Sequence, residues 1–260
     1  MNVISYFQPI AGLPFSTESF KLLKKWESCW KSKGWNPIVL DQSSAELHSE
    51  FSEINLNNYN SLLYNRAKKI QNKDYMKQCY MRWIAYIQFV KEHGDSVWSD
   101  YDVYNKSFST ELFKKFPYHD ELYCGAGSCG KLTPDVADYL LNLFKKFSNA
   151  SDLSEISDLT EFEREWFENA GDELSDMYII QCAYRVPTPR LNIIASSLIL
   201  NPELKETFQE HIKRFHLIHL HGGLRDPAIK DILVFDYPYN RTLSRVQEWD
   251  FIVNLINKNN

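Results

Sequence analysis

The chain reads as an α/β protein with a mixed, mainly parallel sheet flanked by helices, and three stretches predict it. Val3 to Phe7 and Pro37 to Asp41 are short apolar strands. Between them Phe20, Leu22, Leu23, Trp26 and Trp30 lie on a helical segment, so the chain starts with a βαβ unit. Asp74 to His93 repeats Met76, Tyr80, Trp83, Ile84, Ile87 and Val90 at helical spacing, and Gly94 stops it. Val97 to Asn105, VWSDYDVYN, follows as a strand rich in valine and aromatic residues. This alternation of helix and strand predicts parallel strands covered on both faces.

The other elements follow in order. Ser16 or Thr17 caps the first helix and Gly34 ends it. Residues 43 to 72 are polar and Asn-rich, with a short helix and a loop. Ser107 to Phe116 is a short surface helix, and Thr133 with Pro134 starts another as N-cap and first-turn residue. Residues 150 to 176 are acidic and read as a solvated helix face over buried Phe162, Trp166 and Phe167. Gly171 breaks that helix, and Ser175 or Asp176 caps a new one through Gln181. Leu191 to Leu200 is apolar and fits either a helix or a strand, whereas Phe215 to Arg225 begins as a strand.

Composition narrows the classes. A 260-residue chain at 44% hydrophobic and 24% charged is ordinary for a soluble globular protein, and it can bury a sizeable core. The net charge of −5 supplies no basic field for nucleic acid, so an anionic ligand needs local cations or a metal. The five cysteines are odd in number and scattered, which predicts reduced thiols and a cytoplasmic location. Cys124 and Cys129 lack a second pair at zinc-finger spacing. MNVISYFQPIAG does not read as a signal peptide, and no apolar run approaches the ~20 residues of a membrane span.

Four features carry chemistry. On a strand, positions i and i+2 face the same way, so Asp100 and Asp102 are expected side by side. A divalent cation neutralises such a pair directly, and Mg²⁺ and Mn²⁺ prefer oxygen ligands. The plainer alternative is an exposed edge strand with two solvated acids. In LIHLHGGLR, His219 and His221 share one strand face and His216 lies on the other. Gly222 and Gly223 let the backbone approach phosphates, and Arg225 can fork onto them. The stretch therefore suggests a metal ligand and an anion clamp, with imidazole better suited to Mn²⁺ than to Mg²⁺. Asp176, followed by Asp172 and Glu173, is the candidate acid at a helix start facing a pocket, with N-capping as its alternative role. Finally, Gly125 to Lys131 reads G-x-x-x-x-G-K, most of a P-loop. Leu132 stands where a Ser or Thr is needed and Pro134 starts the helix late, so a Gly-rich turn is the better reading.

The order of these features resembles the GT-A fold of nucleotide-sugar glycosyltransferases. Arg82 through Gly94 to SDYDV is similar to the DXD sugar-binding region of capsule and mannosyltransferase-type enzymes. Cys79 stands where that family commonly has an Asp, three residues before the helix Arg. LIHLHGGLR resembles the late His-x-x-Gly-x-x-Lys segment of glycogenin-like retaining transferases, where the His binds manganese and the Lys the diphosphate. By position these are His219, Gly222 and Arg225, an Arg in place of Lys.

The resemblance implies one GT-A-like domain over residues 1–260. Residues 1–105 form a Rossmann-like nucleotide-sugar-binding half, and residues 106–260 an acceptor and metal-closing half. It implies a metal-dependent, hexosyltransferase-like enzyme moving a sugar from a nucleoside-diphosphate sugar, UDP favoured, to a glycan or other hydroxyl, with retention. Asp102 and a histidine, His219 or His221, would hold Mn²⁺ or Mg²⁺, and Asp100 would touch the metal through water or hold ribose and sugar hydroxyls. Arg82 falls in the sugar-nucleotide region, and Tyr6, Phe7 and Gln8 would meet the base, with core packing as the alternative for the two aromatics. Two other classes stay open: a P-loop or other metal-dependent phosphotransferase or hydrolase, and a non-catalytic sugar-nucleotide-binding domain.

Overall fold

A computed structural model describes residues 1–9, 17–65, 73–115, 129–169, 176–185, 192–193, 196–197, 216–219 and 244–258. Strand β1 (Asn2–Tyr6), helix α1 (Thr17–Lys31) and strand β2 (Asn36–Leu40) form the expected βαβ unit, with β1 and β2 parallel and Ile4 opposite Ile38. Gly34 takes φ of 85°, a left-handed conformation that turns the chain from α1 into β2 at little steric cost. Two short helices follow, α2 (Gln42–Glu46) and α3 (Leu62–Asn65), then the long α4 (Lys73–His93). Gly94, with φ of 78°, ends α4 as its spacing predicts.

Next come β3 (Ser96–Ser99), β4 (Val103–Asn105), α5 (Thr110–Lys115), β5 (Cys129–Leu132), α6 (Pro134–Asn149), α7 (Glu161–Asn169) and α8 (Asp176–Arg185). The last described elements are β6 (Asn192–Ile193), β7 (Ser196–Ser197), β8 (Leu217–His219) and α9 (Arg245–Lys258). Among the described residues one sheet has the order β2-β1-β3-β5-β6. β2, β1 and β3 are parallel, β5 is antiparallel to β3, and β6 is antiparallel to β5. Four of the five strands thus run the same way, so the architecture is α/β with a mixed, mainly parallel sheet. A smaller sheet, β4-β8-β7, branches off after β3.

Alternation along the central strands divides the core between the two faces of the large sheet. Ile4, Tyr6 and Trp98 join Trp83, Ile87, Leu140, Phe144 and Ile179 of α4, α6 and α8. Val3, Phe7 and Val97 join Trp26 and Trp30 of α1 and Trp249 and Ile256 of α9. Both clusters draw on early and late residues, because the strands of one sheet supply both. No helix among the described residues is long and apolar enough to cross a membrane. Cys29, Cys79, Cys129 and Cys182 are free thiols, and Cys124 lies outside the described residues.

Two expectations need correction. Val97 to Asn105 is not one strand: β3 stops at Ser99, β4 restarts at Val103, and they belong to different sheets. The Val103 amide donates to the Asp100 carbonyl at 3.1 Å, closing a four-residue turn. Aspartates favour such turns, and two of them flanking one tyrosine overrode the strand preference of their neighbours. Phe162, expected in the core, is 39% exposed, while Glu163 is buried. Glu163 closes a capping box, accepting from the Thr160 amide at 2.8 Å while its own amide donates to Thr160 Oγ1 at 3.2 Å.

His48 gives the fold a pH dependence. It is buried, and its Nδ1 accepts the Glu50 amide at 3.1 Å. Burial, reinforced by the Lys91 charge, holds its pKa below the ordinary histidine value. The unfolded chain therefore takes up a proton that the native state resists as pH drops below about 6.5. Stability from this site is complete above that value and declines as pH falls toward the native pKa. Thermal melts from pH 7 to 5 should show this loss, and His48→Gln should flatten it; an unchanged slope in the variant contradicts the assignment.

Candidate functional site

The site is built around the turn between β3 and β4. Ser99, the last residue of β3, is buried; its hydroxyl donates to the Asp100 carbonyl at 2.9 Å and accepts from Trp26 Nε1 at 3.1 Å. These bonds hold the turn onto α1. Asp100 and Asp102 leave it at the carboxyl ends of the parallel strands β1 and β3, where open α/β sheets collect ligands.

A third group arrives from far along the chain. β8 pairs antiparallel with β4, and its register sets His219 opposite Val103, next to Asp102. His219 Nε2 lies 3.3 Å from Asp102 Oδ1, and both side chains are largely buried. One ligand atom each from Asp100, Asp102 and His219 falls within 4.8 Å of the others. His216, as expected, faces elsewhere, with Nδ1 at 2.7 Å from the Ser107 hydroxyl.

Two guanidinium groups balance the acids. Arg82, in the middle of α4, donates to Asp100 Oδ1 at 2.9 Å and to Asp176 Oδ2 at 2.8 Å. Trp83 Nε1 donates to the same Asp176 oxygen at 3.0 Å. Arg245, the first residue of α9, donates to Asp102 Oδ2 at 2.7 Å, and its guanidinium lies 5.7 Å from the Tyr101 ring centre. Burial pushes the Asp100 carboxyl up to about 6; Arg82 pulls it down and the Asp102 charge pushes it up further. Among the described residues, Arg82 thus pairs with Asp100 and Asp176, and Arg245 with Asp102.

The sequence-predicted residues fall into three groups. Asp100, Asp102, His219, Arg82 and Asp176 come together, although Asp176 stands as Arg82's partner, with one oxygen held by Arg82 and Trp83. Tyr6 and Phe7 lie at the end of β1, but both rings are packed. Tyr6 faces α4 with its hydroxyl on Gln78 at 2.5 Å, so its ring is not presented for stacking. Phe7 sits between Phe20 at 4.8 Å and Tyr101 at 5.7 Å, on the wall next to the acids. Gln8 Oε1 accepts the Gln42 amide at 3.2 Å, and Gln42 in turn accepts from Gln78 at 3.1 Å, forming an amide chain along the strand ends. Asp172, Glu173, His221, Gly222 and Arg225 lie outside the described residues.

Lys131 belongs to a different place. It lies in β5 opposite Val97, with Nζ 2.5 Å from Asp95, at the far end of β3 from the acids. A P-loop lysine would leave a loop for a phosphate, not a strand for a carboxylate. Lys131→Ala is expected to cost about 1 kcal/mol or less of stability, Asp95 being half-exposed, and to leave nucleotide affinity within about threefold. A large loss of nucleotide affinity in calorimetry contradicts this placement.

Arg245 and its contact with Asp102 had no counterpart in the reading of the motifs. Its local signal was a capping box: Ser244 N–H donates to Gln247 Oε1 at 2.8 Å, and Gln247 N–H to Ser244 Oγ at 3.3 Å. That pattern marks a helix start, not what its first residue touches.

Two carboxylates and one imidazole form an oxygen-rich set with one borderline nitrogen, which suits Mn²⁺ and, less well, Mg²⁺. Neither a family model, nor a curated protein, nor a solved structure matches the chain.

Proposed function

We propose that the chain is a metal-dependent glycosyltransferase of GT-A type, moving a sugar from a nucleoside-diphosphate sugar, UDP favoured, to a hydroxyl acceptor. The observation that carries this reading is the meeting of Asp100, Asp102 and His219 at the carboxyl ends of β1 and β3. Its support includes the ordering of these groups by structure on both sides: Asp100 by Arg82, Asp102 by Arg245, and His219 by the β4 register.

In this reading Asp102 and His219 hold the ion directly, with Asp100 as the third ligand or as a partner for sugar hydroxyls. The ion, once bound, supplies charge that stabilises a departing diphosphate. Arg82 keeps Asp100 aimed by tying it to the buried Asp176. Asp176 acts as a positioning group, and a retaining outcome rests on the similarity to glycogenin-like enzymes alone. The aromatic wall of Phe7 and Tyr101 forms one side of the donor site, with Gln8 beside it.

The test is nucleoside-diphosphate release by the purified full chain from a panel of UDP- and GDP-sugars, with and without Mn²⁺. Release that requires Mn²⁺ and a donor sugar supports transfer. ATP turnover in its place supports the phosphotransferase reading. Tight donor binding without turnover across acceptors supports a non-catalytic domain.

A further inference from the structure

Arg245 occupies a position that ordinary helix energetics disfavours. It is the first residue of α9, where the helix dipole presents positive charge and a cation is unfavourable. It is held there by Asp102 Oδ2 at 2.7 Å and by the face of Tyr101. The rest of α9 is anchored independently. Trp249 is buried against Tyr104 at 5.8 Å, Asp250 pairs with Lys25 at 2.6 Å, and Ser244 and Gln247 cap the helix reciprocally. The Arg245 side chain, one-third exposed, can therefore leave Asp102 without the helix leaving the core.

Resting on the metal-site reading above, we propose that Arg245 is an exchangeable cation: it neutralises Asp102 until a divalent ion takes that carboxylate, and then clamps the anionic diphosphate of the donor. Arg245 holds Oδ2 of Asp102 while Oδ1 faces His219, so a grip on both oxygens by one ion requires the guanidinium to leave. A divalent ion is the stronger partner for the carboxylate. The displaced guanidinium, with its fork of five donors on a fixed helix start, is matched to paired phosphate oxygens. Charge balances only with both ligands bound: the divalent ion would bring two positive charges and the diphosphate of a nucleotide-sugar about two negative ones. The greater negative charge of a nucleoside diphosphate makes its gain from Arg245 larger than that of a monophosphate. This makes Arg245 a binding residue that couples metal and donor, separate from the Arg225 clamp expected from the motif.

The test uses the full chain and two probes, Mn²⁺ alone and UDP or UMP at saturating Mn²⁺, measured by calorimetry. Arg245→Gln should tighten Mn²⁺ alone by about fivefold or more and weaken UDP by about tenfold or more, with UMP within about threefold. Arg245→Lys keeps the charge and should fall between wild type and Gln for both probes. The opposite signs for metal and diphosphate distinguish exchange from a structural role, in which both affinities fall together. If Asp102→Asn abolishes Mn²⁺ binding but Arg245→Gln moves neither affinity, the exchange is overturned and the metal site stands. If Asp102→Asn leaves Mn²⁺ binding unchanged, the metal site itself is overturned, and the exchange with it.

Discussion

Replacing Arg82 with Met should destabilise the protein by about 3–5 kcal/mol, the largest single-site effect expected outside the apolar core. Arg82 is 18% exposed and stands between Asp100 and an almost fully buried Asp176, 94 residues further on. Met fills the same volume with an apolar stem, so the loss is not a cavity effect. The cost comes from two carboxylates left in a poorly solvated site with no cation between them. Trp83 keeps one hydrogen bond to Asp176, which limits the damage without neutralising the charge. Adding Asp176→Leu to Arg82→Met should recover part of the loss, because an apolar pair tolerates burial where a lone carboxylate does not. Urea unfolding of the two variants measures both terms. A loss under about 1 kcal/mol for Arg82→Met would mean that the pair is solvated and does not organise the site.

Asp102→Asn should behave in the opposite way. Its side chain keeps the shape of the acid and loses the charge. Its partner Arg245 is one-third exposed and can turn to water, so stability should change by about 1 kcal/mol or less. Binding should change far more. An amide oxygen is a much weaker ligand for a divalent ion than a carboxylate, and among the described residues Asp102 is the acid paired with His219. Mn²⁺-dependent UDP affinity should fall by about a hundredfold, with metal-independent binding unaffected. The two substitutions together separate the proposed roles in the cluster: Arg82 and Asp176 order the site by holding Asp100, and Asp102, His219 and Arg245 meet the ligand. Comparable stability losses for both variants would contradict that division.

Much of the scaffold was legible because periodicity is local. The βαβ start and the long helix α4 follow from apolar spacing and from glycines at their ends, and the structure reproduces both. The acids lie together for a reason other than strand alternation. They project from a closed turn, and what unites them with His219 is the register of β8 on β4. A strand and a turn both bring residues i and i+2 near each other, so the residue list survived the wrong local geometry. Long-range pairs were less legible. Asp176 could be marked as a helix-start acid, but nothing near it in sequence points to Arg82. Arg245 is 143 residues from Asp102, and only the packing of α9 against α1 and β4 brings them together.

The most direct measurement is an anomalous difference map at the manganese absorption edge, from crystals of the full chain soaked with Mn²⁺ and UDP. One strong peak is expected within direct coordination distance of Asp102 and His219, with Asp100 beside it and the Arg245 guanidinium moved from Asp102 onto the diphosphate. No peak at saturating Mn²⁺, or a peak away from these residues, contradicts the metal-site reading.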